Sequence, residues 1–324
     1  MSILDNKTIL ITGGTGSFGK KFTEILLNEH NPKSVRIYSR GELLQMEMQN
    51  QFDDSRLRFL IGDVRDKDRL YRAVSGVDII IHAAALKHVS ACEYNPIEAI
   101  RTNVDGTVNV IDAAIDNSVK IVMAISTDKA VHPVNLYGAT KMVAEKSITQ
   151  GNAYIGRENV KFSCVRYGNV IGSRGSVIPL FKEQKKNGVI SITDDRMTRF
   201  WITLEQGVRF VMDCITRMKG GEIFVPKIPS MKVIDLANIV APNAKKNIIG
   251  IRSGEKLHEI LLTEDEARHT KEFNNYFVIE PEHSFWKKDN FMNEKTPSEG
   301  FRYTSDNNDT WLTESEIKKI VDES

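Results

Sequence analysis

Apolar segments rich in β-branched residues alternate with longer helical patterns through the first half of the chain. The strand-like runs lie at residues 8–12, 34–39, 57–61, 77–82, 120–126 and 161–167, and the helical patterns at about 17–29, 42–52, 67–74, 96–117 and 136–150. These runs lack the polar alternation of half-exposed strands, as is typical of parallel strands covered on both faces. The order predicts an α/β fold with a doubly wound parallel sheet.

The balance of charges excludes several classes of partner. Lys and Arg number 44 and Asp and Glu number 43, so the formal net charge of +1 offers no general attraction for nucleic acid or an anionic membrane. Apolar runs reach about ten residues, half of what a bilayer span requires. We therefore expect neither nucleic acid nor a membrane as partner.

Three distant cysteines, Cys92, Cys164 and Cys214, do not suggest a disulfide framework. They suit a reducing compartment, and the first residues lack the apolar segment of a signal peptide, so we expect a cytoplasmic protein. No spacing of His or Cys indicates a metal site.

Glycines mark the junction between the first strand-like run and the first helical pattern. Gly13, Gly16 and Gly19 stand there. Backbone of this kind can turn tightly and approach a pyrophosphate, whose charge then faces the amides of the helix N-terminus. The junction therefore predicts a dinucleotide site. The other residues expected to contact the cofactor at this turn are Thr15, Ser17 and Phe18.

The end of the second predicted strand indicates which dinucleotide is bound. Sites that prefer NAD place an acidic residue there for the ribose hydroxyls, whereas this chain has Ser39 and Arg40. A guanidinium and a hydroxyl suit a 2′-phosphate, so we predict NADP(H). The alternative is a solvated arginine at a strand end.

Two further strand ends are expected to border the cofactor. Asp63 and Val64 follow the third predicted strand, where the adenine would lie. Small residues after the fourth predicted strand would let the cofactor lie close to the backbone. Ordinary packing is the alternative for both segments. The small residues are Ala83, Ala84 and Ala85.

The element order changes after the sixth predicted strand. A loop-like stretch runs over residues 168–176, and the later elements are shorter and mixed. We expect an NADP(H)-binding Rossmann domain at residues 1–167, with residues 203–225 as a candidate to return to it. Residues 168–324 would mainly form a smaller mixed α/β domain that binds substrate.

The C-terminal part is predicted to form an arm and a helix within residues 283–324. Residues 283–310 are polar and read as a long surface loop or a partner-contacting arm. Thr313 and Glu316 have the spacing of a capping box, and Leu312 with Ile317 forms a hydrophobic staple. A last helix ending near residue 322 is therefore expected.

A tyrosine and a lysine stand four residues apart in the helical pattern at 136–150. Tyr137 and Lys141 therefore share one helix face. The lysine and an oxidised nicotinamide would both favour the phenolate, which makes Tyr137 a candidate base for a sugar hydroxyl. This pairing resembles the extended short-chain dehydrogenase/reductase family. In that family a Ser or Thr at the end of the fifth strand positions the hydroxyl, which points to Thr127, with Ser126 as the alternative.

An acid and an amine follow directly at the same strand end. Asp128 and Lys129 form a second acid/base pair, which simple oxidation of an alcohol does not require. Elimination of water requires both groups. The alternative is a surface ion pair that begins a loop.

Several segments narrow the resemblance. Together with Ser-Thr-Asp-Lys-Ala and Tyr-Gly-Ala-Thr-Lys, they make residues from about 3 to 280 resemble the inverting UDP-N-acetylglucosamine 4,6-dehydratases, in particular the first enzyme of pseudaminic acid biosynthesis. Retaining 4,6-dehydratases typically carry Asp-Glu where this chain has Asp128 and Lys129. The segments are Ala83–Val89, Arg166–Val170, Asp195–Trp201 and Glu222–Lys227.

The resemblance implies an NADP-dependent hydro-lyase acting on UDP-N-acetylglucosamine and giving UDP-2-acetamido-2,6-dideoxy-β-L-arabino-hex-4-ulose. Tyr137 would deprotonate the 4-hydroxyl, Lys129 would remove the C5 hydrogen, and Asp128 would protonate the departing 6-hydroxyl. For these roles the pKa of Lys129 must fall well below its usual value, which we expect from Lys141 and the nicotinamide cation. The pKa of Asp128 must rise through burial.

A UDP-sugar carries a pyrophosphate, which needs local cationic and amide donors. The resemblance supports Asn169 and the segment 251–256, although Ser253 replaces its usual proline. Gly41 replaces a common aspartate, and residues 130–135 differ from the usual Ala-Ala-Asn-Pro-Ile-Asn. The resemblance also suggests a homo-oligomer, with a hexamer as one candidate. The expected substrate residues are Lys87, Asn169, Arg174, Arg199, Arg252 and Glu255.

Two other functions are compatible with parts of this pattern. A UDP-sugar 4-epimerase shares the oxidation step and has no use for Asp128 and Lys129 as an elimination pair. A catalytically silent NADP(H)-sensing protein would need neither Tyr137 nor Lys141. The product mass separates the enzymes, because dehydration removes one water and epimerisation removes none.

Overall fold

The structure, a computed structural model, describes residues 2–155, 159–171, 177–282 and 291–322. A π-helical turn at Arg101–Asp105 and short 3₁₀ turns at Asp128–Ala130 and Asn152–Tyr154 interrupt the regular elements. In chain order, the strands and α-helices are β1 (Thr8–Thr12), α1 (Ser17–Glu29), β2 (Ser34–Ser39), α2 (Glu42–Phe52), β3 (Leu57–Ile61), α3 (Lys67–Val74), β4 (Ile79–His82), α4 (Val89–Tyr94), α5 (Pro96–Ile100), α6 (Gly106–Asp116), β5 (Ile121–Thr127), α7 (Leu136–Gly151), β6 (Lys161–Tyr167), β7 (Asn169–Ile171), α8 (Val177–Lys185), β8 (Val189–Ile192), β9 (Thr198–Thr203), α9 (Leu204–Arg217), β10 (Ile223–Pro226), β11 (Ser230–Lys232), α10 (Val233–Val240), β12 (Lys245–Ile248), β13 (Ile260–Leu262), α11 (Glu264–Ala267), β14 (Thr270–Glu272), β15 (Tyr276–Ile279), β16 (Tyr303–Thr304) and α12 (Glu314–Asp322).

A nine-stranded sheet organises the larger part of the molecule, in the order β14-β15-β10-β6-β5-β4-β1-β2-β3. The strands from β3 to β10 are parallel, and antiparallel β15 and β14 complete one edge. The predicted doubly wound parallel sheet is confirmed. Strand order reverses between β1 and β4, and ligands of such sheets bind at the carboxyl ends beside this point.

The helix predicted over residues 96–117 is divided in the structure. A π-helical turn separates α5 from α6, and such turns often occur at functional sites. Within the turn, the Asn103 side chain exchanges hydrogen bonds with the backbone of Leu86 and donates to Oγ1 of Thr140. The turn thus connects the segment after β4 to α7.

A second group of elements follows β6. The predicted loop at 168–176 begins with strand β7, which pairs with β9 in a three-stranded sheet ordered β11-β9-β7. The buried side chains of this second group of elements, which include Phe181, Trp201 and Leu236, form a hydrophobic cluster separate from the cluster of the main sheet. This separation supports the proposed division into two domains.

Part of the chain after residue 168 returns to the main sheet. Strand β10 pairs with β6, and Arg209 of α9 forms an ion pair of 2.6 Å with Glu29 of α1. These contacts support the proposed return of residues 203–225. Strands β14 and β15 also join the main sheet, which the sequence-based division did not anticipate.

The C-terminal helix α12 begins at the predicted capping box. The amide of Thr313 donates to the Glu316 carboxylate (2.8 Å), and the amide of Glu316 donates to the Thr313 hydroxyl (3.4 Å). Leu312 and Ile317 both pack in the second hydrophobic cluster. Of the predicted arm, residues 283–290 lie outside the described residues. Within the described ranges, no helix has the length and apolar character needed to cross a bilayer.

Candidate active site

A cleft of about 740 Å³ opens over the carboxyl ends of β1, β4 and β5. It brings together most of the residues predicted to bind the cofactor or to act in catalysis. Gly19 is not part of the lining, because it packs helix α1 against the backbone of Gly14. The predicted residues in the lining are Gly13, Thr15, Gly16, Ser17, Phe18, Ser39, Arg40, Asp63, Val64, Ala83, Ala84, Ala85, Lys87, Thr127, Asp128, Lys129, Tyr137, Lys141 and Asn169.

The glycine turn has the geometry of a dinucleotide site. Gly13 has a φ of +67°, and a side chain there would place Cβ 2.9 Å from the backbone of Ala84. Gly16 precedes α1 and provides no side-chain cap for its amides. Because the first amides of a helix lack partners within the helix, they remain available to an anionic group in the cleft.

Two buried hydroxyls also favour a polar ligand. Oγ1 of Thr102 and Oγ of Ser126 are buried, and their residues line the cleft. Neither oxygen has a hydrogen-bond partner within the described part of the chain. Since buried polar groups are nearly always paired, these atoms fit a site that is completed by a bound polar group.

Ser39 and Arg40 lie at the end of the cleft that is predicted to hold the adenosine. The Ser39 hydroxyl accepts a hydrogen bond from Gln45 (3.0 Å), and its proton remains available for donation. The guanidinium of Arg40 is more than half exposed and lies 3.8 Å from the Asp63 carboxylate. Asp63 has a closer partner in Arg65, at 2.7 Å.

Tyr137 and Lys141 are presented by the first turns of α7. Burial raises the pKa of Tyr137 to about 12, while the Lys129 charge and a hydrogen bond with Thr127 act in the opposite direction. Nζ of Lys141 donates to the carbonyl of Ile125 (2.7 Å), and burial lowers the pKa of this lysine. The ammonium that lowers the pKa of Tyr137 in this structure is therefore that of Lys129.

Asp128 and Lys129 occupy the 3₁₀ turn that follows β5. Asp128 is fully buried, and its Oδ1 accepts hydrogen bonds from the Thr127 hydroxyl (2.8 Å) and the Lys129 ammonium (3.1 Å). The same ammonium donates to Oδ1 of Asn169 (3.4 Å) and lies 3.5 Å from Glu259.

The predicted fall in the pKa of Lys129 is wrong for this structure. Burial opposes the charged amine, but the carboxylates of Asp128 and Glu259 outweigh it and raise the pKa above its ordinary value. The expected fall rested on Lys141 and the nicotinamide cation, whereas Glu259 lies only 3.5 Å from the Lys129 ammonium. Lys129 is therefore an ammonium in the structure, and its use as a base requires loss of a proton.

One charged residue of this site, Glu259, was not predicted, and Lys256 was named only as part of the segment 251–256. Glu259 is 2% exposed, and Lys256 donates to the carbonyls of Asp128 (3.3 Å) and Val131. Burial lowers the pKa of Lys256. One feature of the sequence could have identified Glu259. It is an acidic residue directly before the apolar strand β13, and a charged group beside a buried strand requires partners.

A second cavity of about 490 Å³ adjoins the cleft and shares Asn169, Val177 and Trp201 with it. It brings together Asn169, Arg199, Arg252 and Glu255 from the predicted substrate residues. Arg252 is more than half exposed and lies 3.5 Å from Glu255. Arg174 lies outside the described residues, and Lys87 lines only the first cavity.

The donors of Arg199 are directed at protein groups. Its terminal nitrogens donate to the carbonyls of Thr198 (2.7 Å), Leu257 (3.1 Å) and Lys256 (3.0 Å) and to Sδ of Met197 (3.1 Å). Its Nε lies 3.5 Å from the Glu259 carboxylate. An arginine has five N–H donors, and all five face these acceptors. We therefore revise the predicted pyrophosphate contact and propose that Arg199 positions Glu259.

No group of His, Cys, Asp and Glu side chains in the described ranges has the arrangement of a metal site.

Residues 9–281 match the family described as polysaccharide biosynthesis protein. The chain belongs to this family. Over 328 residues, it is 52% identical to the UDP-N-acetylglucosamine 4,6-dehydratase (inverting) of Campylobacter jejuni, covering 98% of both proteins. The predicted resemblance is confirmed.

Other known proteins are also similar to this chain. The UDP-glucose 4-epimerase of Rickettsia canadensis is 42% identical over 85% of this chain and 83% of its own length. The structure of Pen from Bacillus thuringiensis matches with a TM-score of 0.90 and 39% identity, covering 99% of this chain and 98% of Pen. DesIV of Streptomyces venezuelae, a dTDP-glucose 4,6-dehydratase, has a TM-score of 0.69 and 24% identity over 77% of this chain and 86% of DesIV, which shows a common fold.

Proposed function

We propose that this chain is a UDP-N-acetylglucosamine 4,6-dehydratase that inverts C5, and hence a hydro-lyase. The observation that carries this proposal is the buried Asp128 in contact with Lys129, in the same cleft as Tyr137. Of these three side chains, oxidation at C4 by a nicotinamide cofactor needs only the tyrosine, whereas elimination across C5 and C6 needs an acid and a base. The full-length identity to an inverting dehydratase supports the same conclusion.

Each of the three residues has a defined proton to move. A nicotinamide dinucleotide, when bound in the cleft, supplies the acceptor for the C4 hydride and returns it to C6. Tyr137 removes the proton of the 4-hydroxyl, and the resulting ketone makes the C5 hydrogen acidic. Neutral Lys129 takes that hydrogen as a proton, and protonated Asp128 donates to the 6-hydroxyl, which leaves as water. A proton from solvent then adds to C5 from the opposite face, which inverts that centre, and Tyr137 releases the proton of the 4-hydroxyl to solvent before the next turnover.

The contact between Lys129 and Asp128 provides the required protonation states. Transfer of one proton across the 3.1 Å contact converts the ammonium and the carboxylate into a neutral amine and a neutral acid. A neutral pair has a smaller desolvation cost than a buried ion pair. Elimination then regenerates the ion pair, because Lys129 gains a proton and Asp128 loses one.

We propose NADP(H) as the cofactor and UDP-N-acetylglucosamine as the substrate. Arg40 at the edge of the cleft can pair with a 2′-phosphate, because its contact with Asp63 is long. The second cavity supports a nucleotide sugar, with Asn169, Arg252 and Glu255 as the proposed contacts.

The remaining expectations also stand as proposals. The three cysteines are free and buried, which supports work in a reducing compartment such as the cytoplasm. Exposed apolar side chains on helices α5 and α6, Ile97 and Val108 among them, support assembly into a homo-oligomer. The resemblance to the pseudaminic acid enzymes supports a role in that pathway.

The second candidate function is a UDP-sugar 4-epimerase. The similarity to the Rickettsia canadensis epimerase over most of the chain favours it. An epimerase would use Tyr137 and the cofactor, but it would leave the Asp128 and Lys129 pair without a chemical role.

Incubation of the purified chain with UDP-N-acetylglucosamine and NADP⁺ tests the proposal. We expect a product lighter by one water in mass spectrometry. In deuterated water, proton NMR should show deuterium at C5 and the L-arabino configuration. A product of unchanged mass would favour the epimerase, and a keto sugar that retains the D configuration would contradict inversion.

A further inference from the structure

Charged side chains meet at the floor of the cleft, and Glu259 lies among them. Its Oε1 is 3.5 Å from Nζ of Lys129 and 3.5 Å from Nε of Arg199. Its Oε2 is 3.9 Å from Nζ of Lys256 and accepts no hydrogen bond within the described residues. With Asp128, these side chains form a cluster of three cations and two carboxylates, in which Glu259 contacts every cation.

The position of Glu259 is determined by contacts between distant parts of the chain. Its amide donates to the Ser305 hydroxyl (2.8 Å), and the amide of Ser305 donates to its carbonyl (2.8 Å). The side chain is 2% exposed. A carboxylate with so little access to water remains charged only beside cations, so its contacts with Lys129, Arg199 and Lys256 are required.

The ammonium of Lys129 faces three polar side chains. It donates hydrogen bonds to Asp128 (3.1 Å) and Asn169 (3.4 Å) and forms an ion pair of 3.5 Å with Glu259. Asp128 changes its protonation state during elimination, and the Asn169 amide is neutral. Glu259 is thus the charged partner of Lys129 that stays unchanged through the proposed reaction.

We propose that Glu259 is a positioning residue that keeps Lys129 protonated and aimed at Asp128 until the 4-keto sugar occupies the cleft. This inference rests on the proposed function. The charged and titratable groups that face Lys129 are Asp128 and Tyr137, Glu259 before β13, Arg199 of β9 and Lys256. The two carboxylates favour the ammonium, and the two other cations oppose it. Loss of the Glu259 charge therefore shifts Lys129 toward the neutral amine.

The pH dependence of kcat/KM tests this role. In Glu259→Gln, the alkaline limb, at which the Lys129 and Asp128 pair loses its one shared proton, should move to lower pH by at least about one pH unit, the usual effect of one nearby charge. In Lys256→Met, loss of a cation should move the same limb to higher pH. Glu259→Asp keeps the charge and should keep the limb near that of the wild type. A structural role alone would change the rate without opposite shifts in the first two variants.

Glu264→Gln is the matched control, because it makes the same chemical change at an exposed position five residues further along the chain. Its limb should coincide with that of the wild type. Circular dichroism and cofactor titration establish that each variant is folded. An unshifted limb in folded Glu259→Gln, or shifts of the same sign in Glu259→Gln and Lys256→Met, would overturn the inference.

A second measurement does not depend on turnover. Acetic anhydride acylates only neutral amines, so the pH at which Lys129 becomes acetylated, read by peptide mass spectrometry, reports its protonation directly. We expect acetylation of Lys129 at lower pH in Glu259→Gln than in the wild type. Equal pH profiles of acetylation in the two proteins would overturn the role of Glu259 and leave the proposed function standing. Failure of the wild type to dehydrate its substrate would overturn the proposed function alone.

Discussion

Asp128 and Lys129 are neighbours in sequence but lie in different surroundings. The Asp128 side chain is 1% exposed, whereas that of Lys129 is 28% exposed and lines the cleft. A buried carboxylate and a reachable amine suit an acid and a base that act on adjacent carbons of one sugar. Both residues line the cleft, and the turn after β5 creates this difference because it buries the Asp128 side chain more deeply than that of Lys129.

Substitution of either residue tests this assignment. We expect Lys129→Ala and Asp128→Asn each to lower product formation by at least about 100-fold, the usual contribution of a general acid or base. NADP⁺ binding, measured by fluorescence titration, should change little, because neither side chain lies at the glycine turn. Lys146→Ala, on the exposed side of α7, is the control and should retain wild-type turnover. Full activity in either site variant would remove that residue from the mechanism.

Arg40 should determine the preference for the cofactor. A charge-assisted hydrogen bond contributes about 1.5–3 kcal/mol, so Arg40→Ala should weaken NADP⁺ binding by about 10- to 100-fold. NAD⁺ lacks the 2′-phosphate and should bind the wild type and Arg40→Ala about equally, so it serves as the internal control. Calorimetric titration of both cofactors measures the difference. Tighter binding of NAD⁺ than of NADP⁺ by the wild type would contradict the assignment.

The contact between α7 and the turn after β5 connects the two halves of the proposed chemistry. Asn135 caps α7 by accepting from the amide of Gly138 (2.7 Å), and it donates to the carbonyl of Gly254 (2.7 Å). Asn135 thus joins the start of the helix that carries Tyr137 to the segment before Glu259, and Gly138 packs the same helix against the carbonyl of Lys129.

A methyl group at Gly138 should disturb this contact. Its Cβ would collide with the carbonyl oxygen of Lys129, so Gly138→Ala must separate α7 from the turn. Because displacement of about 1 Å in an active site can lower the rate about 100-fold, we expect a loss of that order in kcat. Gly207→Ala, in α9, is the matched control, since its Cβ would have 3.8 Å to the nearest atom. Steady-state kinetics compares the variants, and wild-type kcat in Gly138→Ala would contradict the argument.

A buried ion network holds the parts of the protein together. The guanidinium of Arg166, on β6, contacts Glu145 of α7 at 2.5 Å and Glu266 of α11 at 2.8 Å. It also donates to the carbonyl of Leu261 (2.9 Å). The main sheet, the helix with Tyr137 and the segment with Glu259 therefore share one arginine.

The charge of Glu266 should stabilise the protein in a defined pH range. Burial opposes this charge, but Arg166 lowers the pKa of Glu266 from 4.5 to about 2. Since the folded-state pKa is the lower one, the stabilisation is complete above about pH 4.5 and disappears as the pH falls through about 2. We expect Glu266→Gln to lower the free energy of unfolding by about 2–3 kcal/mol at pH 7, with the difference narrowing toward pH 2.

Urea denaturation over this pH range measures the effect. Glu264→Gln, on the exposed part of the same helix, should unfold like the wild type at every pH. A constant difference between Glu266→Gln and the wild type from pH 7 to pH 2 would show that the stabilisation does not come from ionisation of Glu266.

The parallel sheet was predictable from local patterns. Strands β1, β2, β3 and β6 have the predicted limits, because each is a short apolar run between polar turns. The glycine turn and the motifs after β5 and in α7 were also readable, since each requires particular residue types at a fixed spacing. The first two lie at strand ends that a doubly wound sheet brings to one edge, and the third lies on the helix that follows β5.

The electrostatics of the site were decided by tertiary structure. Glu259 and Lys256 are more than 120 residues from Lys129 in the chain, and folding brings Glu259 to within 3.5 Å of its ammonium and Lys256 to the carbonyl of Asp128. The carboxylates of Asp128 and Glu259 raise the pKa of Lys129, which Lys141 and the nicotinamide cation led us to expect lowered. The same packing occupies the donors of Arg199. The sequence specifies which charged groups exist, whereas folding determines which of them share a space with little water.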